Sequence, residues 1–304
     1  MMHLSHGRVS NEPAPRRAGR GAEGRLLILA ITLAGGCARP EARIPPPADA
    51  PSARWQAGCT LALQRDDSDS ADSRVVESPR GPSPLVEETL LLARSVEGRP
   101  ILLHVLGTGT EHVLIFAGFH GNEPTGCELA EALLACLRDE PALCAGRQVA
   151  IAPVINPDGL SRRRRTNANQ VDINRNFAAS NWSPSRARPA SRGRSPGSEP
   201  ETQAVMVAVH LIEPARILSI HSIERGRECN NYDGPAAALA QAMSARNGYP
   251  ARPTIGYETP GSFGTWAGVD RQIPTITLEL PRDASPAECW KANRQALLTF
   301  IAGG

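Results

Sequence analysis

The sequence predicts an α/β fold in which a mixed, mostly parallel twisted sheet is flanked by helices. Beyond about residue 86, apolar runs alternate with segments of helical periodicity, which favours layers of sheet and helix. Four of these runs are followed or ended by polar residues suited to chemistry, as expected at the carboxyl edge of such a sheet. The sequence contains no internal repeat that would indicate a different architecture.

The first 37 residues are predicted to be a secretion signal. Arginines precede an eleven-residue apolar run at 26–36, LLILAITLAGG, which is too short to span a bilayer as a stable helix and is typical of a signal peptide. The run ends in AGGC, and small residues before a cysteine resemble a bacterial lipobox. Cys37 is therefore predicted to be the lipidated first residue of the mature chain. An ordinary signal peptide or an uncleaved anchor is the alternative.

Residues 38–87 form a predicted linker. They are rich in Pro, Ser, Asp and Arg without periodicity, so we expect a largely disordered tether that leads to a folded domain at residues 88–304. The predicted location is the periplasmic side of a bacterial cell envelope. The only membrane contact expected there is the lipid anchor or the signal segment.

The cysteines do not indicate a metal site. Without Cys37 an even number remains, which an oxidising compartment could join as disulfides: Cys59, Cys127, Cys136, Cys144, Cys229 and Cys289. The sequence has no CxxC motif and no zinc-finger spacing of Cys and His. A metal in this chain is therefore expected to use histidine and carboxylate ligands.

Four apolar runs predict buried strands: 113–117 (VLIFA), 149–154 (VAIAPV), 216–220 (RILSI) and 275–280 (TITLEL). Helices are predicted from about residue 123 or 125 to 137, near 200–212, near 235–246, and after residue 285. Ser285, Pro286 and Glu288 mark the start of the last helix, because they form an N-cap, a first-turn proline and a capping box.

Chemically competent side chains follow these strands. The first strand leads to His120 and Glu123, the third leads to His221, and the last carries Glu279 near its end. Two histidines and one glutamate are an established ligand set for catalytic zinc, with an open fourth position. An HxxE pair alone is a weak signal, since each histidine could instead be a turn or strand-end residue satisfied by its neighbours. Gly121 is expected to let the loop turn tightly.

Other charged residues lie near the same predicted edge. Glu279 is flanked by apolar residues, where an ionised carboxylate is costly unless paired or functional, so it is a candidate general base. The run Arg162–Arg165 lies between the NPDG and DINRNF motifs, so at least one arginine is expected to face the crevice, although charge runs are usually solvated. Arg175, between Asn174 and Asn176, is the better candidate for clamping a carboxylate.

These motifs resemble the zinc carboxypeptidases of the funnelin, or M14, type. HxxE, NPDG, an arginine shortly before DxNRNF, SxH at a strand end, a tyrosine and a late glutamate occur here in the family's order, within about residues 88–302. The resemblance implies the carboxypeptidase fold and one zinc per chain, bound by His120, Glu123 and His221. It also implies that Glu279 activates water. Carboxypeptidase A is one example of this ligand set.

The resemblance implies roles for five more residues. Arg165 corresponds to the arginine that stabilises the oxyanion, and Asn174 and Arg175 to the pair that binds the free carboxylate of the substrate. Tyr257 has the spacing of the tyrosine that closes over the substrate. Asp172 is a candidate partner that orients a ligand histidine.

The segments NNYDGPA, SEPET and GYETPGSFGTWAGVDRQIPTITLELP look most like the murein peptide amidase branch of this family. Members of that branch cut the γ-D-glutamyl to meso-diaminopimelate bond of cell-wall peptides. The expected partner is therefore a small murein-derived peptide. Gly264, in the segment that helps to floor the specificity pocket of carboxypeptidases, brings no charge, so the preference for diaminopimelate rests on resemblance.

Other functions are also compatible with some of the motifs. HGNEPTG and NRNF resemble motifs of N-acyl amino acid deacylases of the aspartoacylase and succinylglutamate desuccinylase type. Tyr257 and the segment TPGSFGTW argue against a deacylase. A general metallocarboxypeptidase and a catalytically inactive lipoprotein that binds peptidoglycan are further alternatives. Only the arginine run would favour nucleic acid, so no nucleic-acid partner is expected.

Overall fold

The computed structural model describes residues 85–185 and 191–304. The apolar run at 26–36, Cys37 and most of the predicted linker lie outside these residues. No helix within the described ranges is long and apolar enough to cross a membrane.

The described residues form eight strands and five α-helices. The strands are β1 Glu87–Arg94, β2 Pro100–Leu106, β3 Glu111–Ala117, β4 Arg147–Ala152, β5 Arg216–Ile223, β6 Cys229–Asp233, β7 Ala251–Arg252 and β8 Thr275–Pro281. The helices are α1 Pro124–Asp139, α2 Pro157–Ser161, α3 Pro200–Ile212, α4 Ala237–Asn247 and α5 Pro286–Ala302. Two 3₁₀ helices, Pro141–Cys144 and Ile173–Arg175, and a π-helix, Thr265–Val269, complete the elements of this part of the chain.

All eight strands join one sheet in the order β1-β2-β4-β3-β5-β8-β6-β7. The four central strands β4, β3, β5 and β8 run parallel, and they are the four predicted from apolar runs. β2 and β6 pair with this central group in the antiparallel sense. The predicted mixed α/β fold is therefore confirmed.

Helices cover both faces of the sheet. Alternate residues of β3 belong to two different cores: Val113 and Ile115 lie in the core that contains α1, α4 and α5, whereas Leu114 and Phe116 lie in the core that contains α3. Since successive side chains of a strand point to opposite faces, the two cores lie on opposite sides of the sheet. Every residue of β5 is buried, as expected for a strand covered on both faces.

Two local predictions have different outcomes. The capping box of α5 is confirmed, because Ser285 accepts a hydrogen bond from the Glu288 amide and Glu288 accepts one from the Ser285 amide. The possible disulfides are not formed among the described cysteines, which are all buried and free: Cys127, Cys136, Cys144, Cys229 and Cys289.

Candidate active site and metal centre

The predicted site residues meet at the carboxyl edge of the central strands. His120 follows β3, His221 lies near the end of β5, and Glu279 lies near the end of β8. β5 pairs with both β3 and β8, and His221 is the direct strand partner of Glu279. The sheet therefore brings together side chains that are far apart in sequence.

His120, Glu123 and His221 form a compact buried cluster. The Nδ1 atoms of the two histidines are 3.2 Å apart. Oε1 of Glu123 is 3.0 Å from Nδ1 of His120, and Oε2 is 3.2 Å from Nδ1 of His221. One ligand atom from each of the three residues lies within 4.8 Å of the others. Two imidazoles and a carboxylate thus converge on one point.

This cluster fits a zinc ion. A tetrahedral zinc with bonds of about 2.0–2.1 Å holds its ligand atoms about 3.4 Å apart. The separation of 3.2 Å between the two Nδ1 atoms is close to that value. Two nitrogens and a carboxylate are also a ligand set that leaves a coordination position open for catalysis. The residues present are therefore those a catalytic zinc requires.

Surrounding groups hold the ligands in place. Nε2 of His120 is 3.1 Å from Oδ1 of Asp172, so this carboxylate fixes the ring with Nδ1 turned to the cluster. Oδ2 of Asp172 accepts a hydrogen bond of 2.9 Å from Nε of Arg165. The backbone amide of Ser222 donates to Oε2 of Glu123 at 3.1 Å. Asp172 therefore contacts both His120 and Arg165.

The electrostatics favour the ionised forms of Glu123 and Asp172. Burial alone would raise the pKa of Glu123, but His120 and His221 lower it well below its usual range. The pKa of Asp172 is likewise lowered, because His120 and the arginines nearby outweigh burial. Burial alone would lower the pKa of His120, but the two carboxylates raise it. Glu123 is therefore available as an anionic ligand.

The loop that carries His120 is fixed by close contact with the NPDG motif. A Cβ on Gly121 would lie 1.9 Å from the carbonyl carbon of Gly159, so the two backbones touch. Asn156 locks this contact, since its side chain donates to the Phe119 carbonyl and accepts from the Gly159 amide. Gly121 was predicted to permit a tight turn. The turn is present, because the Glu123 amide donates to the His120 carbonyl, but Gly121 does not adopt a positive φ; its missing side chain leaves room for the contact with Gly159.

The side chain of Glu279 lies beside the cluster and has no hydrogen-bond partner among the described residues. It lines the same cleft as the three ligands and is 7% exposed. Burial raises the pKa of Glu279, the histidine His221 opposes that effect, and the carboxylate of Glu123 adds to it. A raised pKa suits a group that must take up and return a proton.

Three residues predicted to bind substrate also line this cleft. The Arg175 guanidinium donates to the Asn174 carbonyl at 2.6 Å and forms no ion pair with a described carboxylate. The side-chain oxygen of Asn174 accepts a hydrogen bond from the backbone amide of Phe263, and this bond fixes the orientation of the Asn174 side chain. Tyr257 is 52% exposed at the rim. The cleft therefore presents an arginine that is free to bind an anion.

Of the arginine run, only Arg165 lines the cleft. Arg162, Arg163 and Arg164 are exposed, and Arg162 pairs with Glu97 at the surface. Arg165 is half-buried and is held by Asp172, with its Nη1 atom 3.6 Å from Glu123. Three arginines of the run are therefore solvated, as is usual for a charge run, and one lies in the cleft, as its position in the sequence predicted.

Asp233 is a cleft residue that the sequence did not predict. It ends β6 and lines the cleft together with Asn231 and Thr277, which are strand partners. The sequence indicates Asp233 only through its place in the segment NNYDGPA, and nothing in that segment marks the aspartate as a pocket residue.

The sequence profile of the zinc carboxypeptidase family matches residues 83–294. Among curated relatives, murein peptide amidase A of Escherichia coli strain K12 is 36% identical over 201 residues, which cover 62% of this chain and 79% of the relative. Murein peptide amidase A of Vibrio campbellii is 35% identical over 203 residues, which cover 62% and 77%.

Solved structures agree with the fold. The murein-tripeptide amidase of Escherichia coli O157 aligns with a TM-score of 0.58 at 31% identity, covering 70% of this chain and 91% of that chain. Bovine thrombin-activatable fibrinolysis inhibitor aligns with a TM-score of 0.59 at 19% identity, covering 71% and 88%, a likeness that concerns the fold alone.

Proposed function

The chain belongs to the zinc carboxypeptidase family, and we propose that it is an amidase that releases terminal diaminopimelate from murein peptides. Zinc is the family's cofactor, and its members hydrolyse peptide bonds. One observation carries the proposal: a zinc-type ligand cluster, an unpaired buried Glu279 and an anion-free Arg175 share one cleft. The bond proposed is the γ-D-glutamyl to meso-diaminopimelate amide, which the relatives named as murein peptide amidases support.

The residues of the cleft divide the work of hydrolysis. Bound zinc supplies a Lewis acid for the carbonyl and for water. Glu279 accepts a proton from the attacking water and returns it to the leaving nitrogen as the carbon–nitrogen bond breaks. Arg165, anchored through Nε on Asp172, stabilises the negative charge that develops on the carbonyl oxygen.

Arg175 and Asn174 restrict the reaction to the end of a chain. Both line the cleft, and the guanidinium has no carboxylate partner within the described residues. A free carboxylate of the leaving residue supplies that partner through charge-assisted hydrogen bonds. Tyr257 at the rim is the residue proposed to close over the bound peptide. The enzyme is therefore proposed to act on a terminal residue.

Arg175→Gln is expected to lower kcat/KM for a peptide with a free terminal carboxylate by about 10- to 100-fold, because the variant loses a hydrogen bond to a charged group. A peptide with an amidated end, which lacks the anion, should be a poor substrate for the wild type and should not be affected further by the change. Steady-state assays with both peptides measure the difference. Arg162→Gln, at an exposed arginine that pairs with Glu97, is the matched control. Equal losses on both peptides would contradict carboxylate binding by Arg175.

A direct comparison of substrates tests the proposed function. Zinc-loaded protein is incubated with L-Ala-γ-D-Glu-meso-diaminopimelate, with N-acyl amino acids, and with α-linked peptides that end in a free carboxylate. Release of diaminopimelate as the fastest reaction is the expected result. Preferential cleavage of N-acyl amino acids would instead identify a deacylase, and preference for α-linked peptides would identify a general carboxypeptidase.

The proposed site of action is the periplasmic side of a bacterial cell envelope. The apolar run at 26–36, the AGGC motif at Cys37 and the linker composition of residues 38–87 support it. Incorporation of a labelled fatty acid that is lost in Cys37→Ala tests the anchor, and a chain that stays unlabelled would contradict it.

A further inference from the structure

The part of the cleft that is proposed to hold the leaving residue lies on one side of Glu279. The side-chain oxygen of Asn174 accepts a hydrogen bond from the backbone amide of the residue before Gly264. A Cβ on Gly264 would lie 2.2 Å from Oδ2 of Asp233, so these two residues are in contact. Asp233 is the strand partner of Thr275, the first residue of β8. Asn174 is therefore on the side of Glu279 that leads toward the start of β8.

Arg282 lies on the opposite side of Glu279, directly beyond the end of β8. Its backbone amide donates to the carbonyl of Ile223, the last residue of β5, at 2.8 Å. Its Nη2 atom donates to the Ser222 carbonyl at 3.3 Å, and the Ser222 amide donates to Oε2 of Glu123 at 3.1 Å. A single residue thus links the guanidinium to the ligand cluster. Because Arg282 also lines the cleft, it lies where the acyl part of a bound peptide leads away from the metal.

The charge of Arg282 has no carboxylate partner among the described residues. The next residue, Asp283, is occupied by Arg225, whose Nε atom lies 2.9 Å from both carboxylate oxygens. Within the described part of the chain, no carboxylate lines the cleft on the Arg282 side of Glu279. The guanidinium is exposed, so a ligand can reach it, and guanidinium groups form strong paired hydrogen bonds with carboxylates. The acyl side of the cleft therefore offers a cation to an anionic group of the substrate.

We propose that Arg282 binds the free α-carboxylate of the D-glutamyl residue whose γ-carbonyl is attacked. A γ-linkage leaves this carboxylate four bonds from the scissile carbonyl carbon, about 5 Å away when extended. A carboxamide at the same position has the same shape but no charge, so the enzyme is expected to discriminate against peptides in which this carboxylate is amidated. The inference rests on the proposed function and names a residue that determines specificity on the acyl side of the bond.

The test compares two tripeptides that differ only at this carboxylate. One is L-Ala-γ-D-Glu-meso-diaminopimelate, and the other carries D-isoglutamine, with an α-carboxamide, in place of D-glutamate. The wild type is expected to prefer the first by about 10- to 100-fold in kcat/KM, mainly through KM. Arg282→Gln should abolish that preference by losing activity on the first peptide only, and Arg282→Lys, which keeps the charge, should retain part of it. Arg246→Gln, at an exposed arginine of α4 outside the cleft, is the matched control and should behave as the wild type.

A binding measurement separates the inference from turnover. Calorimetry on zinc-loaded wild type should show tighter binding of the acyl product L-Ala-D-Glu than of L-Ala-D-isoglutamine, and Arg282→Gln should lose that difference. Equal cleavage of both tripeptides by the wild type, or equal loss on both in Arg282→Gln, would overturn the inference while the proposed function stands. If the wild type cleaves neither tripeptide, the proposed function fails. Equal binding of the two dipeptides would then overturn the inference separately, whereas a difference that is lost in Arg282→Gln would support it.

Discussion

Glu279→Gln is expected to keep its zinc and to lose turnover, with kcat reduced by about 10²- to 10⁴-fold. Glutamine has the same shape as glutamate but cannot accept a proton from water at neutral pH. Glu279 lies beside the ligand cluster without belonging to it, so the metal should remain bound. Metal analysis and kcat on the diaminopimelate tripeptide, measured on the same preparation, give both quantities.

Glu131→Gln is the matched control for this change. Glu131 is an exposed glutamate of α1, outside the residues that line the cleft, and its substitution should leave kcat unchanged. A Glu279→Gln variant that turns over as fast as the wild type would rule out Glu279 as the base. A variant that loses zinc would instead indicate that Glu279 supports the ligand cluster.

His221→Ala is expected to lose both zinc and activity. The variant removes one of only three ligand atoms in the cluster, and the two that remain come from a single loop. Loss of a group that merely orients a ligand weakens metal binding by about 10- to 100-fold, so loss of the ligand itself should cost more. Zinc content after dialysis and hydrolysis of the tripeptide should both fall to background.

His210→Ala serves as the control for the second prediction. His210 is exposed on α3, away from the cleft, so its removal should leave zinc content and activity intact. Circular dichroism shows whether His221→Ala remains folded. A folded His221→Ala protein that retains one zinc per chain would mean that the metal is bound elsewhere.

The central strands and the metal cluster were predictable from sequence for one physical reason. Parallel strands buried on both faces appear as continuous apolar runs, and their carboxyl ends meet at one edge of the sheet. β3 and β5 could therefore be predicted from their apolar runs, and the histidines that follow or end them lie at the predicted edge of the sheet. The pairing of β5 with β3 then completes the ligand cluster, in which His221 lies 101 residues after His120.

The far side of the cleft was not predictable in the same way. β6 has the sequence CNNYD, which lacks an apolar run, and it forms because it pairs with β8 along its whole length. Asn231 and Asp233 line the cleft, whereas Asn230 lies on the other face of the strand, where its side-chain amide donates to Ser244 and Asn247 of α4. The contact between Gly264 and Asp233 joins segments 31 residues apart, and only the assembled fold shows that one makes room for the other.

Zinc titration of metal-free protein tests the central claim most directly. The protein is stripped with a chelator, zinc is returned in fractions of an equivalent, and release of diaminopimelate from the tripeptide is followed. The site formed by His120, Glu123 and His221 predicts no activity at the start, then a linear rise that ends at one zinc per chain. Full activity in the stripped protein, or a rise that continues to two zinc ions per chain, would contradict a single catalytic zinc at this cluster.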